Sequence, residues 1–152
     1  MPPTKLRKKV IAERVNWVRE MLASIRDLSF DDPQLFQKDH RNFAAAESYL
    51  RRGLEALLDL GRHILAKGFA TPVAEYKDIA QQLRKEGVVS DEVGKRLVKL
   101  AGYRNRMVHF YHEITKEELF KICSQELNDV ETVLDEILSW IRKNPDRMND
   151  EL

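Results

Sequence analysis

Apolar residues recur along almost the whole chain at intervals of three and four, and no useful stretch alternates with period two, so the pattern predicts helices and no strands. From Lys5 to Leu28 one stripe carries Leu6, Val10, Trp17, Met21 and Leu28, and Val18, Leu22 and Ile25 widen it. The segment SFDDPQ breaks this phase: Asp31 or Asp32 suits a cap and Pro33 suits a first helical turn. A second, longer helix then carries Phe43, Ala46, Leu50, Leu54, Leu57, Gly61 and Ile64, with Gly68 as its stop. Gly53 and Gly61 lie inside that helix, which predicts close approach of other helices at those points. Thr71 and Pro72 open a third helix with Tyr76, Ile79, Ala80 and Leu83, closed by Gly87. Ser90, followed by Asp91 and Glu92, caps a fourth. Thr115 and Glu118 have capping-box spacing, so a fifth helix starts there and the fourth ends between Tyr111 and Ile114. The fifth bears Leu119, Ile122, Glu126, Val130, Val133, Ile137 and Ile141 and stops near Lys143, before Asn144-Pro145. The expectation is an all-α antiparallel bundle of about five helices, with both tryptophans, Trp17 and Trp140, packed in its core.

The 152 residues suffice for one core, so residues 1–152 are expected to form a single domain with a frayed polar tail from about residue 144. The 26 basic and 25 acidic side chains nearly cancel, so any contact with nucleic acid must come from a local patch. A lone cysteine, Cys123, excludes an internal disulfide. No apolar run has membrane-spanning length and the first residues lack a signal-peptide core, which together point to the cytoplasm.

Chemistry concentrates in GYRNRMVHFYHEIT, residues 102–115. Val93, Leu97, Leu100, Met107, Val108 and Tyr111 share one helical face, and Arg104 sits in the middle of it. A charge on a core-facing stripe is costly unless it is paired or functional. Arg104, Asn105, His109 and Tyr111 bring together a permanent cation, an amide, an imidazole and a phenol, a set suited to phosphate chemistry. RNA is cut without a metal when the neighbouring 2'-hydroxyl attacks phosphorus. That step needs proton transfer, which histidine performs, and charge stabilisation, which a bidentate arginine supplies. The expected roles are proton transfer for His109, phosphorane stabilisation for Arg104 and positioning for Asn105. Five residues separate Arg104 from His109, about 140° on a straight helix. Two copies of the motif facing each other across a two-fold axis would place both groups in one cleft, so a homodimer is expected. Lys95, Lys99 and Arg106 lie on a narrow arc opposite the apolar face and are read either as contacts to an RNA backbone or as a solvated row. Arg51, Glu55, Asp59 and His63 follow four-residue spacing: an exposed ion-pair ladder, or acids that orient Arg104, with Asp59 or Glu55 in that role. No histidine pair has metal-ligand spacing, and neither a metal nor a cofactor is expected.

The segments AAAESYLRRGLEALLDLGRHI at 44–64, FATPVAEYKDIAQQLRKEGVVS at 69–90 and LAGYRNRMVHFYHEI at 100–114 resemble the HEPN superfamily, specifically the HepT toxins of HepT/MntA toxin–antitoxin pairs. The Arg-x-x-x-x-His-x-Tyr motif of that family falls on Arg104, His109 and Tyr111, while Tyr103 stands where phenylalanine is common, a change expected to affect packing only. The resemblance implies a HEPN bundle that dimerises through a cleft lined by both motifs and cleaves RNA without a metal, as a type VII toxin. It also implies a minimal nucleotidyltransferase antitoxin, MntA-like, that transfers AMP onto Tyr111. The competing expectation is a non-catalytic HEPN protein that binds nucleotide or assembles with such a nucleotidyltransferase.

Overall fold

A computed structural model describes residues 2–28, 30–109 and 114–149. Seven α-helices are described: α1 (Lys8–Arg26), α2 (Pro33–Lys38), α3 (His40–His63), α4 (Tyr76–Lys85), α5 (Asp91–Val108), α6 (Lys116–Gln125) and α7 (Leu127–Lys143). A π-helical turn (Ile64–Gly68) extends α3, and a 3-10 turn (Pro145–Arg147) follows α7. Among the described residues the only β-type pairing is an isolated bridge between Leu6 and Met148.

The helices outnumber the expected five because two long periodic stretches are each cut by an acid. Asp39 is extended, and its carboxylate accepts from the Arg41 backbone N–H at 3.0 Å, so it ends α2 and caps α3. Asp32 caps α2 in the same way. Glu126, expected on the last helix's apolar stripe, marks the break between α6 and α7, where its carboxylate turns to Lys99 and Tyr103. The third expected helix starts at Tyr76 instead of Thr71, because the side chain of Arg62 takes the carbonyls of Val73 and Ala74 and keeps that segment out of the helix. The caps expected at Ser90 and Thr115 are present, accepting from Val93 and Glu118.

Paired contacts fix helix directions. Gly53 lies against Met21, while the Arg7 backbone N–H reaches His63, so α1 and α3 run antiparallel. Arg84 meets Asp91 and Ser90 meets Glu136, which sets α5 antiparallel to α4 and to α7. A Cβ on Gly61 would lie 2.7 Å from Leu83 Cδ1 and 3.0 Å from Ile79 Cγ2, so α4 approaches α3 as closely as the glycine predicts. One apolar cluster joins all these helices, with Leu54, Leu57, Leu97, Leu119 and Ile137 at its centre.

Two further expectations change. Trp17 is 39% exposed and so is not a core residue, whereas Trp140 packs on Phe69 at 5.6 Å. The residues after Lys143 are tied down through Asn149. Arg147 donates to the Gly68 carbonyl and stacks on Phe69, the Asn149 N–H donates to the Leu6 carbonyl, and the Asn149 side chain accepts from Lys8. The N-terminal strand-like segment gives these otherwise polar residues their hydrogen-bond partners.

Candidate functional site

The α5 helix carries the motif and packs against α3, α4 and α7. Arg104 is only 23% exposed, and the groups around it explain how a cation sits on a core-facing stripe. Its Nε and Nη2 donate to the same carboxylate oxygen of Glu55, at 3.2 and 2.9 Å. The other oxygen of Glu55 accepts from Arg51 at 2.8 Å, so one acid is shared between two guanidinium groups. The ring of Tyr76 lies under the Arg104 guanidinium, 4.5 Å from its carbon to the ring centroid. Nη1 reaches the side-chain oxygen of Asn105 at 3.4 Å.

Of the two acids expected to orient Arg104, Glu55 touches it directly and Asp59 does not. Asp59 accepts from Arg62 at 2.8 Å and from the Tyr76 hydroxyl at 3.3 Å, so it meets Arg104 only through the tyrosine. Burial and the neighbouring Asp59 push the Tyr76 phenol above its ordinary value, which keeps it a neutral donor. His63, the last rung expected in this ladder, faces the N-terminal segment and accepts from Arg7 N–H.

His109 stands at the end of α5, which stops at Val108, short of the expected Tyr111–Ile114. Its backbone is extended (φ −91°, ψ 117°), and its N–H donates to the Asn105 carbonyl at 3.0 Å in the last helical bond. Asn105 therefore touches Arg104 through its side chain and His109 through its backbone. The imidazole lines a cleft of about 320 Å³ with Phe43, Glu47, Arg106, Met107, Val108 and Ile114. Val108, expected on the core face, is 43% exposed here. Arg104 is not among the residues that line this cleft; its guanidinium is engaged by Glu55. Tyr111 lies outside the described residues.

The basic arc is largely engaged within the chain. Lys99 donates to Glu126 at 2.7 Å, which raises its pKa, and Arg106 grips both oxygens of Glu118 at 2.6 Å. Arg96 likewise bonds Glu92 and Asp129. Lys95 is exposed. Of the row expected to track an RNA backbone, Lys99 instead holds the α6–α7 junction and Arg106 the start of α6, while Arg96, outside that row, reaches α7. Tyr103 does more than pack: its hydroxyl donates to Glu126 at 3.0 Å.

Sequence reading placed Tyr76 in an apolar stripe and assigned no site role to Phe43, Glu47 or Glu118. A tyrosine at the start of a helix facing an acid-rich helix was the available signal for the first. The others are brought to the site only by packing, from positions far away in the chain or across the connection after His109.

A family model described as "Ribonuclease HepT-like" matches residues 18–137. The mRNA nuclease HepT of Shewanella oneidensis is 23% identical over 128 residues, covering 84% of this chain and 96% of the relative. The tRNA nuclease HepT of Aphanizomenon flos-aquae is 23% identical over 141 residues, covering 91% and 94%. Among solved structures, the tri-AMPylated Shewanella oneidensis HEPN toxin in complex with its MNT antitoxin superposes with a TM-score of 0.78 at 22% identity, over 86% of this chain and 97% of the toxin. The cytosolic Bacillus subtilis protein YutE gives 0.74 at 22%, over 88% and 90%. The bundle described above is thus a HEPN fold.

Proposed function

The chain belongs to the ribonuclease HepT-like family, and on that premise we propose that it is a toxin endoribonuclease that cleaves cellular RNA without a metal and is silenced by a minimal nucleotidyltransferase antitoxin. The observation that carries this reading is the state of Arg104: a cation on a core-facing stripe, clamped by Glu55 and Tyr76, just before a histidine that leaves the helix at the edge of a cleft. An arginine needed only for folding requires no neighbouring imidazole in extended backbone.

The proposed assembly is a homodimer in which two α5 ends meet, so that Arg104 of each copy reaches the phosphate addressed by a His109. His109 takes the proton of the 2'-hydroxyl as that oxygen attacks phosphorus. The phosphorus–5'-oxygen bond breaks, the leaving oxygen receives a proton from the second imidazole or from water, and a 2',3'-cyclic phosphate and a 5'-hydroxyl result. Arg104 stabilises the equatorial oxygens as charge grows on them, a contact of the kind worth about 3–4 kcal/mol. Asn105 holds the spacing between the two groups.

For the silencing step the relatives supply the lead: the Shewanella toxin is AMPylated in complex with its antitoxin. The corresponding step here has the Tyr111 phenol oxygen attack the α-phosphorus of ATP, losing its proton as pyrophosphate leaves. The phosphate so added lies two residues from His109 and occupies space and charge that the RNA phosphate needs.

Purified protein incubated with cellular RNA in EDTA tests the reading. Cleavage should appear in the wild type, yield cyclic phosphate ends, and vanish in His109→Ala. Equal residual cleavage in both proteins would assign the activity to a contaminant and leave a binding protein. Incubation with the cognate nucleotidyltransferase and ATP should add AMP mass to the wild type and not to Tyr111→Phe.

A further inference from the structure

Both hydrogen bonds that Arg104 donates to Glu55 end on a single oxygen, Oε2. Two donors converging on one acceptor fix the side edge of a guanidinium in space but leave its plane free to pivot about that oxygen. The end edge, formed by Nη1 and Nη2, is the one that grips a phosphate in two places, and it is useful only when the plane is held. The Asn105 oxygen meets Nη1 only at 3.4 Å, a long and weak contact, so a further restraint on the pivot is needed. The ring of Tyr76 lies 4.5 Å below the Arg104 guanidinium carbon, and a stacked face resists this rotation.

Tyr76 is itself held. Its hydroxyl donates to Asp59 at 3.3 Å, and Asp59 accepts from Arg62 at 2.8 Å. Arg62 lies 5.1 Å from the same ring centroid and donates to the carbonyls of Val73 and Ala74, immediately before α4. The chain Arg62–Asp59–Tyr76–Arg104 thus runs from the backbone that sets the entry of α4 to the arginine of the motif.

We infer that Tyr76 is a positioning residue for the proposed RNA cleavage: its ring fixes the plane of the Arg104 guanidinium, and the Asp59 and Arg62 side chains fix the ring. The inference rests on the ribonuclease reading for its catalytic consequence, but its geometry can be measured without cleavage. The ring carries the function, and the hydroxyl only steadies it. Removing the hydroxyl therefore costs less than removing the ring.

The experiment compares wild type, Tyr76→Phe and Tyr76→Leu, each alone and with Arg104→Ala, after thermal melts establish that the variants are folded. Cleavage of a defined RNA should fall about three- to tenfold in Tyr76→Leu, mostly in kcat, and less in Tyr76→Phe. On the Arg104→Ala background Tyr76→Leu should have no further effect, since a residue acting through the arginine has nothing left to position. In parallel, the side-chain Nε–Hε NMR signal of Arg104 should show a ring-current shift that persists in Tyr76→Phe and disappears in Tyr76→Leu. An unchanged Arg104 signal in folded Tyr76→Leu overturns the positioning role, as does an equal loss of cleavage with and without Arg104. If the wild type cuts no RNA, the ribonuclease reading fails, and the NMR comparison still decides whether Tyr76 holds the arginine.

Discussion

Arg106 and Glu118 form a two-pronged ion pair, both contacts 2.6 Å long, that joins the last turn of α5 to the first turn of α6. In sequence, His109 and Tyr111 fall between these two residues. This clasp fixes the two ends from which the motif's second half departs.

Arg106 holds the Glu118 carboxyl below its usual range, first through the hydrogen bonds and then through its charge. A depressed folded-state value stabilises the protein at pH above the ordinary carboxylate range and loses that contribution as pH falls through the folded value. Glu118→Gln should therefore lower the melting temperature slightly at pH 7, by no more than about 1 kcal/mol equivalent because the pair is partly exposed. The difference between the two proteins should shrink as the pH is lowered until Glu118 is protonated in the folded state as well. Cleavage should fall more than stability does, since the connection bearing the imidazole loses an anchor.

Glu55 is shared between Arg51 and Arg104, so removing its charge leaves two half-buried cations facing each other. Glu55→Ala should destabilise the fold by about 1–3 kcal/mol. Denaturant titration of Glu55→Ala, Arg51→Ala and the double variant should show strong non-additivity, because the two guanidinium groups share one carboxylate.

Gly61 admits α4 against α3, and a methyl there would collide with Leu83 and Ile79, both fully buried and without room to swing aside. Gly61→Ala should cost about 1–3 kcal/mol despite the better helix propensity of alanine. It should also weaken Tyr76 stacking, since α4 carries that residue. Urea unfolding measures the first effect, and the Arg104 side-chain NMR signal measures the second.

His63 accepts a hydrogen bond from the Arg7 backbone N–H at 3.0 Å, which only the neutral imidazole can do. Burial lowers its pKa below the ordinary 6.5, and the nearby charges of Lys67, Arg7 and Arg14 add to the shift. In the window below 6.5 the unfolded chain binds the proton and the folded one does not, so stability should decline as pH drops through that window. In His63→Gln, melts between pH 5 and 8 should lose this dependence.

Much of the molecule follows from local sequence. Period-3.6 apolar stripes gave the all-helical class, though two of the five expected helices are each split in two; the caps at Ser90 and Thr115 and the helix contacts at Gly53 and Gly61 are borne out in the structure. Boundaries failed where a polar side chain had a distant partner. Glu126 broke a helix to reach Lys99 and Tyr103, and Arg62 held residues before α4 extended. Nothing in the spacing of α6 or α7 reveals that Glu118, Glu126 and Asp129 occupy the cations of α5.

By itself, then, the order of residues determined the helical class, the anomaly of a cation at Arg104 and its five-residue offset from His109, since periodicity and spacing are properties of one helix. Tertiary structure decided which acid holds that cation, that an aromatic ring lies beneath it, and which of the motif's basic residues are engaged within the chain. Those outcomes depend on side chains far apart in sequence meeting at hydrogen-bond distance, and only the packing of α3, α4 and α7 around α5 determines which ones do.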